Sequence, residues 1–251
     1  MDMLAPFGRD DSVLGVLHRV ADAVGARLGA VADWGRSGVR PGQYLADVDA
    51  DDVAVGMLLD AGFGVLSEES GRSGDGELIV ALDPLDGSTN ASRGIAWFAT
   101  SMCVVDGDGP AVALVVNQAS GQRLEAVRNH GAWIGDRRLR VSGCERLSDA
   151  VVGISGLPPR AADWWQFRAL GAAALDLGLV AGGSLDAYAD MSVDAHGAWD
   201  YLAGVLLVTE AGGVVADGRG RELVALDHAD RRSPVAAATP ELLEAVLETR
   251  R

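Results

Sequence analysis

A pair of aspartates followed by a glycine turn is the first feature of this chain that could do chemistry. An apolar segment, residues 78–82, predicts a short strand, and residues 83–90 follow it as Asp-Pro-Leu-Asp-Gly-Ser-Thr-Asn. Pro84 has no backbone N–H, so we expect the strand to end before it. Gly87 favours a turn, and Ser88 or Thr89 could cap a helix after it. Carboxylates at a strand end beside free amides suit a divalent cation and a phosphate together, so the segment predicts a magnesium-dependent phosphatase site.

Further carboxylates must join this pair if it is to hold metal. Glu68 and Glu69 follow the preceding short strand. If the two strands lie side by side, one glutamate should face the aspartate pair and the other should face solvent. Asp200 stands in the first turn of a predicted helix, where an acid is more commonly a capping residue. Four more aspartates cluster upstream, at positions 47, 49, 51 and 52.

The bulk composition describes an ordinary globular chain and excludes several functions. Hydrophobic residues make up 49% and charged residues 23% of the 251 residues, enough for one large core or two joined layers. A net charge of −15 argues against general nucleic-acid binding. Cys103 and Cys144 form neither a disulfide framework nor a CxxC metal motif. The start does not resemble a signal peptide and no apolar stretch could span a bilayer, so we expect a cytoplasmic protein without a membrane partner.

The elements around these acids change character along the chain. An apolar stripe predicts a helix over residues 13–31, and residues 95–141 predict a meandering antiparallel sheet. Strands and helices alternate in the second half, including a predicted helix over residues 168–180 that ends at a glycine pair. We therefore predict an N-terminal domain, residues 1–147, that carries most of the candidate ligands. A C-terminal α/β layer, residues 148–251, would complete the site.

Three acidic motifs, taken in order, resemble those of the inositol monophosphatase family, within the wider group of lithium-sensitive, magnesium-dependent sugar phosphatases. They are Glu68-Glu69, Asp83-Pro84-Leu85-Asp86-Gly87-Ser88 and Trp199-Asp200-Tyr201-Leu202-Ala203-Gly204. The similarity covers nearly the whole chain and includes Gly131-Ala132-Trp133, Asp186-Ala187-Tyr188 and Thr209-Glu210-Ala211-Gly212-Gly213. It implies an α+β fold of αβαβα layers, with an antiparallel sheet first and a smaller mixed sheet second, and a homodimer.

The resemblance also implies a set of metal ligands. Glu68, Asp83 and the carbonyl of Leu85 would hold one Mg²⁺, and Asp83, Asp86 and Asp200 would hold a second. A looser third ion would lean on Glu68, so two to three ions are expected in each site. Two ions roughly 4 Å apart can activate water and stabilise the leaving oxygen of an in-line displacement.

A hydroxyl and an upstream aspartate would orient the attacking water in this family. Ser88 stands where relatives have a threonine, which keeps the oxygen and loses only a methyl group. For its partner we favour Asp51, where we expect the second helix to begin, because residues 57–58 then match apolar positions of the family helix. Asp49 is the alternative. Glu68, Asp51 and Ser88 are thus the candidate catalytic residues.

Substrate contacts are implied for a further set of residues. Amides of Gly87 and Ser88 would receive the phosphate. Asp190 stands where relatives place an acid that binds sugar hydroxyls, and the following segment, residues 191–198, is longer than usual. His196 is interpreted as a loop or rim histidine rather than a ligand. The predicted substrate-binding residues are Asp86, Gly87, Ser88, Gly183, Ser184, Asp190 and Asp200.

The leading hypothesis for function is a phosphoric monoester hydrolase acting on a small polyol or sugar phosphate, with inositol monophosphate as the family default. Phosphatases for histidinol phosphate, fructose 1,6-bisphosphate and 3′-phosphoadenosine phosphate share these motifs and stay open as alternatives. A member that binds metal or a protein partner without turnover belongs to a different class. It is disfavoured because every expected carboxylate is present.

Overall fold

A computed structural model describes residues 12–251, which form six α-helices and thirteen strands. The helices are α1 (Val13–Gly29), α2 (Leu45–Asp60), α3 (Ser88–Ser92), α4 (Ala173–Ala181), α5 (Ala198–Glu210) and α6 (Pro240–Glu248). The strands are β1 (Gly64–Ser67), β2 (Gly71–Ser73), β3 (Ile79–Asp86), β4 (Ala99–Asp106), β5 (Gly109–Asn117), β6 (Arg123–Val127), β7 (Gly131–Ile134), β8 (Arg137–Arg138), β9 (Val151–Ser155), β10 (Gln166–Arg168), β11 (Ala187–Asp190), β12 (Val214–Asp217) and β13 (Pro234–Ala237). Within this described part of the chain, no helix has the length and apolar character that a bilayer crossing requires.

The larger sheet has eight strands in the order β2-β1-β3-β4-β5-β6-β7-β8. β4 to β8 pair antiparallel with their neighbours, which confirms the meander predicted for residues 95–141. β1 and β3 run parallel to each other. Because the carboxyl ends of neighbouring parallel strands meet at one edge of a sheet, the acids that follow β1 and those at the end of β3 come together there.

Pro84 does not end β3, contrary to the sequence prediction. The strand continues to Asp86, and its pairing with β4 becomes irregular between Asp83 and Asp86. β1 has already ended at this level, so no strand on that side requires a hydrogen bond from the backbone nitrogen of Pro84. On the other side, the Thr100 hydroxyl donates a hydrogen bond to the Pro84 carbonyl at 3.0 Å. Residues three apart face opposite sides of a regular strand. The irregular pairing instead leaves both carboxylates close enough to repel each other.

The helices and sheets stack in five layers. α1 and α2 pack on one face of the larger sheet, and α4 and α5 pack on its other face. The smaller sheet is mixed, in the order β10-β9-β11-β13-β12, and lies beyond α4 and α5 with α6 on its outer side. This arrangement confirms the predicted α+β fold of αβαβα layers. The division into residues 1–147 and 148–251 stays a prediction; α5 packs directly on β3, β4 and β5, so the two halves share one core.

Two helices begin at other residues than predicted. α2 begins at Leu45 rather than near Asp51, because Asp47 accepts a hydrogen bond from the Tyr44 N–H at 2.7 Å and caps the helix from its first turn. The helix predicted over residues 168–180 is shorter at its start. Gln166–Arg168 forms strand β10, and Gly171, with a φ of 86° that favours glycine, separates this strand from α4.

Candidate active site

Three carboxylates converge where β1, β3 and α5 meet. Single oxygens of Glu68, Asp83 and Asp200 all lie within 4.8 Å of one another. Glu68 directly follows β1, Asp83 is in β3, and Asp200 is in the first turn of α5. Asp200 also accepts a hydrogen bond from the Gly197 N–H at 2.7 Å. It therefore caps α5 and takes part in the acid cluster at the same time.

Asp86 adds a fourth acid from the end of β3. Its Oδ2 accepts a hydrogen bond from the Ala174 N–H in the first turn of α4, at 2.8 Å. Leu85 lies between the two β3 acids and donates its N–H to Asp83 at 2.9 Å. The structure thus brings together all five ligand residues expected from the sequence, Glu68, Asp83, Leu85, Asp86 and Asp200, while the role of each as a ligand stays a prediction.

Burial and mutual repulsion make this acid cluster unfavourable when it is fully ionised. Burial is the main cause that raises the pKa of Asp86 to about 8, and the charge of Asp200 adds to it. Burial, followed by repulsion from Glu68 and Asp86, raises the pKa of Asp83 well above its ordinary value. Burial and the charge of Asp200 do the same to the pKa of Glu68. Because the donors are all hard oxygens that repel one another when ionised, the cluster fits a bound divalent cation.

Ser88 lies close enough to interact with Asp47, whereas the partner favoured from the sequence is Asp51. Burial raises the pKa of Asp47 to about 6, and the hydrogen bond from the Tyr44 N–H and the nearby Ser88 hydroxyl limit that rise. Asp51 instead accepts a hydrogen bond from Ser67. The physical reason is the early start of α2, which puts Asp47, and not Asp51, into the first helical turn.

Asp49, the alternative partner, also lies elsewhere. It is exposed and pairs with Arg27 of α1 at 2.8 Å. Glu69, the second glutamate after β1, does not face solvent as expected. Its carboxylate is paired with Arg40 and Gln43, from the loop before α2, and only 8% of its side chain is exposed. This loop is thereby anchored beside the acid cluster.

Two hollows border the acid cluster. The first, which we call the Ser88 cleft, has a volume of about 260 Å³ and is lined by Arg40, Gln43, Asp47, Glu68, Glu69 and Ser88 among others. The second, which we call the His196 cavity, has a volume of about 120 Å³ and is lined by Asp86, Ser155, Asp176, Tyr188, His196 and Asp200 among others. Acids of the cluster line both hollows, so the cluster lies between them.

Gly87 closes the turn that presents Ser88. Its φ is 85°, and an added Cβ would lie 3.0 Å from the Trp97 carbonyl oxygen and 3.1 Å from the Ala172 Cβ. A side chain at this position would therefore meet both an unfavourable backbone conformation and close neighbours. Asn90 holds the turn in place by donating to the carbonyls of Trp97 and Leu170, both at 2.8 Å.

The predicted substrate contacts in the second half of the chain are only partly brought to the site. Gly183 and Ser184 follow the C-terminal end of α4, next to residues 140–142, whereas the N-terminal end of α4 contacts Asp86. The reason is that the glycine pair ends α4, so these two residues lie one helix length away from the acids. Asp190 is fully buried behind His196, whose Nδ1 lies 3.1 Å from its Oδ2. His196 is therefore not a rim residue; only 12% of its side chain is exposed.

One supporting contact had no signal in the sequence. His228 stacks on Trp199, with ring centroids 4.9 Å apart, and its Nε2 lies 3.1 Å from the carbonyl oxygen of Glu68. Arg231 lies over the same Trp199 ring at 5.0 Å. Asp47 could have been found from its spacing, because an acid three residues after the helix-start residue Tyr44 is a capping pattern.

Comparisons with known proteins agree with this geometry. The extragenic suppressor protein suhB from Bartonella henselae has a solved structure that superimposes with a TM-score of 0.81, at 30% identity over 95% of this chain and 98% of that one. A fructose-1,6-bisphosphatase/inositol-1-monophosphatase of Thermococcus kodakarensis is 38% identical over 209 residues, 80% of each chain. An inositol-1-monophosphatase of Mesorhizobium japonicum is 38% identical over 199 residues, covering 70% of this chain and 73% of the relative.

Fold, site and relatives together define the chain as a phosphoric monoester hydrolase. Residues 46–251 match the model of the inositol monophosphatase family. The chain belongs to this family, as the acidic motifs indicated.

Proposed function

We propose that the chain hydrolyses the phosphate monoester of a small polyol or sugar, with inositol monophosphate as the first candidate, and that it does so with Mg²⁺. The observation that carries the proposal is the position of the buried acid cluster between the Ser88 cleft and the His196 cavity. An in-line displacement at phosphorus needs room for water on one side and for the leaving alcohol on the other. The two hollows offer that room.

The metal would be held by Glu68, Asp83, Asp86 and Asp200, with the Leu85 carbonyl as a further oxygen donor. Two to three Mg²⁺ ions would, when bound, supply the positive charge that a phosphate ester requires in so acidic a site. Their charge would also offset the repulsion that raises the pKa values of these acids.

On the side of the Ser88 cleft, Asp47 and Ser88 would position the attacking water. The Ser88 hydroxyl can donate to Asp47 and accept a hydrogen bond from water. Asp47, with a pKa of about 6, is mostly ionised at neutral pH and can accept the proton. The amides of Gly87 and Ser88 open α3 without an intrahelical acceptor, so they can donate to phosphate oxygens.

Replacing Asp47 or Asp51 by asparagine tests which of the two acids acts with Ser88 in the reaction. Asp47→Asn should lower kcat about 100-fold, because the amide keeps the shape and the hydrogen bond from Tyr44 but cannot accept a proton. Asp51→Asn is the matched control on the same helix; it should lower the free energy of unfolding by about 1 kcal/mol, through its bond with Ser67, and leave kcat within about threefold. Steady-state kinetics and urea unfolding measure both. The reverse order of the two kcat values would restore Asp51 as the partner of Ser88.

A phosphate-release screen with Mg²⁺ tests the proposed reaction and its substrate. The panel is inositol 1-phosphate, fructose 1,6-bisphosphate, histidinol phosphate and adenosine 3′,5′-bisphosphate, and we expect the highest kcat/KM for inositol 1-phosphate. We also expect millimolar Li⁺ to inhibit at limiting Mg²⁺, as the three-ion arrangement requires. Absence of metal-dependent release from every ester would refute the proposed activity and favour the alternative of a member that binds metal or protein without turnover.

A further inference from the structure

The His196 cavity is lined by polar groups that are short of partners. The Tyr188 hydroxyl is fully buried, and although Ser155 lies close enough to interact with it, no hydrogen bond of normal geometry joins them. Asp176 is also buried, and one of its oxygens accepts a hydrogen bond from the Trp97 indole at 2.8 Å. Buried polar groups are costly unless they are satisfied, so this cavity is suited to a ligand that brings hydroxyl groups.

Asp190 cannot reach such a ligand itself. It is 0% exposed, and its Oδ1 accepts a hydrogen bond from the Ser192 N–H at 2.9 Å. Its Oδ2 faces His196 Nδ1 at 3.1 Å. The two atoms lie close together without forming a hydrogen bond of normal geometry. Because Nδ1 is the ring nitrogen next to Asp190, the opposite edge of the imidazole, with Nε2, is the part of His196 that can face the cavity.

The chain around His196 is held firmly in place. The backbone of His196 exchanges two hydrogen bonds with that of Arg232, at 3.2 and 2.8 Å. Asp194, two residues earlier, pairs with Arg219 at 2.7 Å and with Arg221 at 2.6 Å. These contacts fix the segment that carries His196. A side chain so fixed is pre-organised to recognise a ligand.

We propose that His196 is a specificity-determining residue, which hydrogen-bonds a hydroxyl of the substrate's alcohol part through Nε2, and that Asp190 acts through it as a positioning residue. The inference rests on the proposed function, in which the alcohol leaves on the side of this cavity. The ligand class is a neutral polyol. Asp176 and Asp190, neither of which is a proposed metal ligand, lie in or behind the wall against a single imidazole, so a second anionic group on the alcohol would be repelled.

The test compares inositol 1-phosphate with phenyl phosphate, whose alcohol part has no hydroxyl to contact His196. His196→Leu should raise KM for inositol 1-phosphate about 10- to 100-fold and leave kcat and KM for phenyl phosphate within about threefold. His196→Gln, which can place an amide N–H near the position of Nε2, should restore most of the loss. Asp190→Asn should act in the same direction as His196→Leu and add nothing to it in the double variant. His130→Gln, at an exposed turn, is the control for a histidine change without effect.

The outcomes separate the two proposals. If His196→Leu changes both substrates alike, or neither, while the wild type hydrolyses both, His196 does not determine specificity and only this inference fails. If the wild type releases phosphate from neither substrate with Mg²⁺, the proposed function fails and the inference fails with it. Circular dichroism and Mg²⁺ titration of each variant confirm that fold and acid cluster are intact. If KM for inositol 1-phosphate rises in His196→Leu and is not restored in His196→Gln, the inference is also contradicted. The effect would then not depend on a hydrogen-bond donor at the position of Nε2, as expected for a purely structural role.

Discussion

Asp83→Asn should abolish Mg²⁺-dependent phosphate release, by at least about 10³-fold, while making the metal-free protein more stable. Asp83 is 2% exposed and lies between Glu68, Asp86 and Asp200. The amide keeps the shape and can still accept the hydrogen bond from Leu85, but it is a poor ligand for a divalent cation. If the bound metal no longer stabilises the transition state by several kcal/mol, the rate of hydrolysis falls by about 10³-fold or more. Removing one of several like charges in a buried cluster should raise the free energy of unfolding by an amount on the order of 1 kcal/mol at pH 8.

Asp49→Asn is the matched control for this substitution. Asp49 is an exposed acid paired with Arg27, so its change should leave both activity and stability almost unaltered. Phosphate release, Mg²⁺ titration by calorimetry and urea unfolding without metal provide the three measurements. An Asp83→Asn variant that binds Mg²⁺ and turns over normally would remove Asp83 from the proposed ligand set. A variant that is less stable than the wild type without metal would show that the acid repulsion is not the dominant effect.

The melting temperature of the metal-free protein should fall as the pH rises from about 6 to about 9. The pKa of Asp86 in the folded chain is about 8, and burial and neighbouring charges raise those of Asp83 and Glu68 as well. Buried Asp47 and Asp176, at about 6 and about 7, act in the same direction. An acid whose pKa is higher in the folded than in the unfolded state binds more protons when folded. Its stabilising contribution is therefore full below the unfolded pKa and is lost as the pH rises through the folded pKa.

Mg²⁺ should reverse this loss. At a concentration about 100 times its dissociation constant, an ion that binds only the folded chain adds about 2.7 kcal/mol of stability. The gain should be larger at pH 8.5 than at pH 6, because ligands must be deprotonated to bind. Differential scanning calorimetry at several pH values, with EDTA or with Mg²⁺, measures both trends. A metal-free melting temperature that rises between pH 6 and pH 9 would contradict the proposed origin of the shifts, and Asp83→Asn should flatten the profile.

Much of the fold and of the acid cluster could be predicted from the sequence because both depend on local patterns. Glu68, Asp83 and Asp86 follow apolar strand segments, and neighbouring parallel strands bring their ends together whatever the details of the loops. Asp200 could be assigned only through the family resemblance, because an acid in a first helical turn is usually a cap. The structure shows that it caps α5 and joins the cluster as well.

The parts that could not be predicted depend on competition between similar local choices or on distant contacts. Which of the four clustered aspartates lies beside Ser88 depends on where α2 begins. The helix begins at Leu45, with Asp47 in its first turn accepting a hydrogen bond from the Tyr44 N–H. The continuation of β3 through Pro84 is possible because β1, its neighbour on one side, has already ended at that level. The position of His196 beside Asp190 depends on contacts with the loop between β12 and β13, which no periodicity reveals. Lithium sensitivity and a homodimer stay predictions of the resemblance.

The acid cluster draws its members from elements that are far apart along the chain. Glu68 follows a strand of the larger sheet and Asp83 lies in another, whereas Asp200 belongs to α5, 117 residues after Asp83 along the chain. A contact that closes so long a loop forms late in folding, because the chain loses the entropy of loop closure before the contact can stabilise it. A divalent cation held by all three acids would therefore stabilise the native state more than the folding transition state. Its effect on kinetics should be a slower rate of unfolding, with little change in the rate at which the chain folds.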